Sequence, residues 1–110
     1  MLVAFTTTDK KSVAENIANA LISKNIASCV QIISMQSFYL WEGKKQKSKE
    51  YLIIIKAKNQ NVKIIEKEVK RLSNYELPEF IYFKANASKD YAAWINGKNN
   101  GGKFKNINNK

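Results

Sequence analysis

Leu52-Ile53-Ile54-Ile55 is the stretch that most constrains this chain. Four consecutive branched apolar residues between polar flanks read as a strand with both faces buried. Helical periodicity recurs twice at useful length. Val13, Ile17, Ala20 and Leu21, backed by Ala14 and Ala18, mark a first helix from Asp9 or Ser12 to Lys24. Val62, Ile65, Val69 and Leu72 mark a second, with Glu66 and Lys70 as an i,i+4 pair on its outer side. Two helices on one side of a sheet leave its other face bare. A bare apolar sheet face is a liability unless another subunit covers it. An oligomer is therefore expected from the residues alone.

The remaining segments complete a β-α-β-β-α-β order. Leu2 to Thr6 fits a short buried strand, and Thr7, Thr8 and Asp9 offer N-cap chemistry for the first helix. Ser12-x-x-Glu15 is a second candidate start, as a capping box. Asn25 can take the left-handed conformation that closes the helix. Two long strands follow, Ala27 to Trp41 and Glu50 to Lys58. Between them Glu42-Gly43 supplies a turn, and Lys44 to Lys49 reads as a polar arm. In the first strand Val30 and Ile32 share a face, but the apolar set shifts after Ser34, which predicts a bulge near Ser34 to Ser37. Asn59 or Asn61 is expected to cap the second helix. Pro78 breaks the chain before a last strand, Phe80 to Phe83. Ser88 then caps a short helix carrying Tyr91, Trp94 and Ile95. This predicts an α+β fold, a ferredoxin-like βαββαβ sandwich with an antiparallel sheet and an extra short C-terminal helix.

The chain has 110 residues, enough for one domain, expected over 1–96. From Gly97 onward twelve of fourteen residues are Gly, Asn or Lys, and this 97–110 tail is expected to be disordered. The formal charge of +10 divides unevenly: four lysines fall in the tail, and 1–96 carries fifteen basic and nine acidic residues. Such an excess attracts anions in general. Yet Arg71 is the only guanidinium, and specific phosphate or base contacts favour its planar fork. The charge reads chiefly as a solvated surface, and nucleic acid is not the expected partner. The apolar runs are too short to span a bilayer, and Met1 leads directly into Leu2-Val3-Ala4-Phe5 with no basic leader pattern. Cys29 is the only cysteine, so no internal disulfide forms. A cytoplasmic location is expected.

Four motifs carry a resemblance. Ile26-Ala27-Ser28-Cys29-Val30, Tyr39-Leu40-Trp41-Glu42-Gly43-Lys44, Tyr75-Glu76-Leu77-Pro78-Glu79 and Asp90-Tyr91-Ala92-Ala93-Trp94-Ile95 are similar to the CutA family of divalent-cation tolerance proteins. The match runs over about residues 2 to 96 in the right order. It implies a homotrimer whose sheets pack around a central axis, which would cover the bare face. It also implies a part in the response to divalent metal ions, with copper as the candidate ion. Family members are described as binding copper through a thiol near the end of the first strand and histidines before the Tyr-x-x-Pro-Glu motif. The corresponding positions here hold Phe5, Leu72 and Ser73, and the chain has no histidine. A divalent ion would then be held by oxygen ligands or by Cys29.

Two sets of side chains are candidates for a site. Cys29 is the only soft ligand; three copies around a trimer axis could share an ion, whereas a single copy reads more simply as a small core residue. Trp41, Glu42, Tyr75, Glu79, Tyr91 and Trp94 form the other set. The resemblance places the hairpin tip of one subunit near a neighbour's cleft, where aromatic walls and carboxylates could hold a small ligand or ion. Interface packing and ion pairs between subunits would use the same residues. The lysines Lys44, Lys45, Lys47 and Lys49 guard a long hairpin against edge pairing. No histidine serves as general base and no glycine-rich loop cradles a phosphate, so catalysis is not expected. Three functions follow in order: a trimeric binding or scaffold protein of metal-ion tolerance, a trimeric small-ligand sensor, and a basic nucleic-acid module.

Overall fold

The computed structural model describes residues 1–98. Its elements are β1 (Leu2–Thr8), α1 (Lys11–Ser23), β2 (Cys29–Trp41), β3 (Lys44–Ala57), α2 (Val62–Leu72), β4 (Ile81–Lys84) and α3 (Lys89–Ala93). A single 3-10 turn, Asn59–Asn61, leads into α2, and a wide turn over Trp94–Lys98 follows α3. The four strands form one antiparallel sheet in the order β2-β3-β1-β4. This is the expected ferredoxin-like layer. Residues 99–110, which hold most of the tail expected to be disordered, lie outside the described residues.

Alternation sorts the sheet into two faces. Ala4, Ile53 and Ile55 point to the helices and are fully buried with Ala14, Ile17, Leu21, Ile65 and Val69. Burying each of these large aliphatic chains stabilises the fold by about 1.5–3 kcal/mol. The neighbouring positions Phe5, Ile33, Leu52, Ile54, Ile81 and Phe83 share the opposite face through the register Phe5↔Ile54, Ile33↔Leu52 and Phe5↔Ile81. Phe5 and Phe83 pack edge to face there, with ring centroids 5.7 Å apart. Among the described residues nothing covers this layer: Ile33 is 50%, Ile81 52% and Phe83 45% exposed.

Several local expectations are corrected. No bulge interrupts β2, because its pairing with β3 runs unbroken from Cys29↔Lys56 to Trp41↔Lys44. The apolar alternation shifts after Ser34 because the hairpin there projects past β1, whose pairing with β3 ends at Thr8↔Tyr51. Beyond that point only Glu50 is buried and the rest of the ribbon is mostly exposed, so burial no longer dictates polarity. For the same reason Lys44 to Lys49 is not an arm but the first half of β3. Ser12 lies inside the first turn of α1, and no side chain caps that helix. Asn61 stands at the start of α2, but its Nδ2 donates to the Ile26 carbonyl at 3.0 Å instead of capping. Ser88 precedes α3 without a capping bond. Asn25 does adopt φ 58°, and the chain leaves α1 there.

Candidate functional site

A cleft opens where the bare face meets the projecting hairpin. Three segments build it, with a volume of about 590 Å³. Ser37, Tyr39 and Trp41 of β2 and Gln46, Ser48 and Glu50 of β3 are alternate residues, so all six fall on the same face of the ribbon. Thr7 comes from the end of β1 and Asp9 from just beyond it, and Tyr75, Glu76, Leu77 and Glu79 come from the connection between α2 and β4.

Hydrogen bonds fasten that connection to β1. Thr6 Oγ1 donates to the Glu79 carbonyl at 2.7 Å, and Thr8 Oγ1 donates to Asn74 Oδ1 at 2.6 Å. Asn74 Nδ2 in turn donates to Asp9 Oδ1 at 2.8 Å. The threonine and aspartate expected to cap α1 are thus committed to holding the connection. Thr8 Oγ1 also accepts from the Lys10 amide at 3.2 Å, fixing the turn into the helix. Tyr75 is set by its amide, which donates to Ser73 Oγ at 3.0 Å.

The polar centre of the cleft is the bond from the Tyr75 hydroxyl to Glu50 Oε2. Glu50 is only 8% exposed. Burial, then the Glu50 carboxylate, push the Tyr75 hydroxyl well above its ordinary range, so it stays a protonated donor. Glu79 is half-buried beside this pair. Loss of water, then the Glu50 charge, raise its carboxyl above the ordinary 4.5. Tyr39 closes the ribbon side, its hydroxyl 3.3 Å from Ser48 Oγ.

Of the candidate residues, Trp41, Tyr75 and Glu79 line this one cleft. Glu42 does not: it occupies the hairpin turn with φ 51°. Tyr91 and Trp94 stack on each other at 5.9 Å, with Lys56 Nζ over the Tyr91 ring at 5.6 Å. Lys56 is six positions along β3 from Glu50, about 20 Å at the rise of a strand. Cys29 pairs with Lys56 at that far end and is half-buried, not a core residue. Glu50, Asp9, Ser37 and Ser48 were not among the candidates. Reading Lys44 to Lys49 as strand would have revealed Glu50, since Glu50 then shares a face with Tyr39 and Trp41.

The positions at which relatives are described as holding copper do not fit that ion. Phe5 is packed on Phe83, Leu72 packs against the core and Ser73 Oγ is taken by the Tyr75 amide. Imidazole and thiolate are the donors that hold copper well. Among the described residues no three of His, Cys, Asp and Glu gather to hold a metal ion.

The family described as CutA1 divalent ion tolerance protein matches residues 2–98. The chain belongs to the CutA1 family. The divalent-cation tolerance protein CutA of Thermus thermophilus is 30% identical over 95 residues, covering 84% of this chain and 92% of that protein. The CutA described as PII-like from Nostoc sp. PCC 7120 superposes with a TM-score of 0.82 at 26% identity, covering 88% of this chain and 95% of that one. The chloroplastic CutA of Arabidopsis thaliana is 29% identical over 96 residues. The chain spans 53% of the length of that plant protein. Among the described residues no helix is long and apolar enough to cross a membrane.

Proposed function

We propose that this CutA1 chain acts without catalysis, as a homotrimer that serves divalent-ion tolerance by holding a ligand in the cleft between the hairpin and Tyr75–Glu79. The observation that carries this is the cleft itself: a 590 Å³ recess with aromatic walls and a few converging polar groups. The trimer is supported by the half-exposed apolar layer of Ile33, Ile81 and Phe83, which another copy would bury. Membership of the tolerance family supplies the cellular role. A copper site of the kind described for relatives is not part of the proposal, because the required donors are replaced.

A bacterial host lacking its own family member tests this. The intact chain is expected to restore growth in elevated copper. Glu50→Gln with Glu79→Gln, shown by light scattering to keep three times the chain mass, is expected not to. Full rescue by that folded variant would remove the cleft from the function.

A second reading, a small-ligand sensor, is favoured by the size of the recess, which exceeds the space a single ion fills. The PII-like description of the Nostoc protein points the same way. It predicts that a small molecule, not a divalent ion, raises the melting temperature of the purified trimer.

A further inference from the structure

The cleft inverts the charge of the molecule. The chain has nineteen basic and nine acidic residues, yet the charged residues lining the cleft are Asp9, Glu50, Glu76 and Glu79, with no lysine or arginine among them. Acidic residues on a surface carry no message alone. Here one of them is buried without a counter-charge. Glu50 is as buried as Glu68, at 8% against 7%. Glu68 has two cations, Lys24 at 2.6 Å and Arg71 at 2.7 Å. Among the described residues no ion pair reaches Glu50. Tyr75 donates to its Oε2, and among the described residues no donor reaches Oε1, which keeps some contact with solvent. A buried carboxylate lacking a cation is costly, and a cationic occupant relieves that cost.

The walls indicate what kind of cation. Tyr39 stands half-exposed on the cleft wall, its hydroxyl reaching back along the ribbon to Ser48, and Trp41 lies two positions further out; ring faces attract ammonium and guanidinium groups once water is excluded. Rings do not ligate hard divalent ions, which demand six or more oxygens. We propose that the cleft between Tyr39 and Glu50 binds a small organic cation, an ammonium or guanidinium compound, as its ligand, with Trp41 at the outer end of the same recess. This rests on the cleft being a ligand site at all.

The test uses the full chain with Trp94→Phe, which leaves Trp41 as the sole tryptophan. Its fluorescence is followed while choline or methylguanidinium is added, with 3,3-dimethylbutan-1-ol as the uncharged isostere of choline. Saturable change with at least one cation, at affinity ten-fold or more above the alcohol, is expected. Glu50→Gln is expected to erase that preference. If Glu50→Gln fails to assemble, Glu79→Gln should reduce it several-fold. Equal or tighter binding of the alcohol overturns the cation and keeps the cleft as a ligand site. Absence of binding by all three, with Trp41 still quenched by acrylamide, overturns the cation. Absence of binding with Trp41 shielded from acrylamide shows the cleft filled in the assembly, and then both readings fail.

Discussion

Tyr75 and Glu50, twenty-five positions apart in the chain, are joined hydroxyl to carboxylate across the mouth of the cleft. This bond ties the connection before β4 to the middle of β3. Tyr75→Phe removes the only donor to Glu50 Oε2 among the described residues and leaves that acceptor unpaired. It should cost about 1–3 kcal/mol, read from urea denaturation at one fixed protein concentration. Glu50→Gln, whose amide oxygen still accepts, should cost less. An unshifted midpoint for Tyr75→Phe would show that the bond contributes nothing.

Glu68 and Glu79 should give opposite pH signatures. Hydrogen bonds from Arg71 and then Lys24 hold the Glu68 carboxyl at about 2, against an ordinary 4.5. A lowered folded value gives stability that is present above 4.5 and lost as pH falls towards 2. Glu68→Gln should therefore lower the melting temperature at pH 7, with the deficit shrinking through that window. Glu79 is raised, so its ionisation opposes folding once pH climbs above 4.5. Glu79→Gln should be neutral or stabilising at pH 7 and give no gain at pH 4. Parallel curves for the two variants would refute both assignments.

The two faces of the sheet should respond differently to substitution. Ile55→Ala opens a cavity under the helices and should cost about 2–5 kcal/mol of stability. Ile33→Lys places a charge on the bare layer, which needs a second copy and not the helices. It should lower the mass seen in light scattering while far-ultraviolet circular dichroism stays native. An intact assembly would mean that this layer is not the interface.

The hairpin turn offers a gain. Glu42 and Gly43 have φ 51° and 76°, the left-handed pair that a tight hairpin requires. Glutamate is strained there, so Glu42→Asn should stabilise by about 0.5 kcal/mol. Gly43→Ala should cost about 1–2 kcal/mol through backbone alone, since no atom lies within 4 Å of the added methyl group. Thermal melts of the two variants should move in opposite directions.

The sheet and both long helices were legible because burial imposes a period on residues such as Ile17, Leu21, Ile53 and Ile55. Where burial ends, legibility ends too. Lys44 to Ser48 is strand only because it pairs with β2, and its lysines and serine carry no strand pattern. Glu50 was hidden by the same misreading. Thr8 and Asp9 look like caps in one dimension, but Asn74, distant in sequence, takes their side chains. Trp41, Tyr75 and Glu79 could be named as candidates from their motifs. That Tyr91 and Trp94 lie at the other end of β3 could not, since it depends on where α3 returns along the sheet.

Among the described residues the outer half of the hairpin, Met35 to Trp41 against Lys44 to Glu50, is a two-stranded ribbon with no third strand beside it. A two-stranded ribbon is marginal by itself in water. It owes its order to whatever surface it rests against, and it carries one whole wall of the cleft. If that surface is a second copy, the wall exists only as fast as copies meet. Occupancy of the cleft would then follow mass action in the protein as well as in the ligand, so dilution alone would empty it.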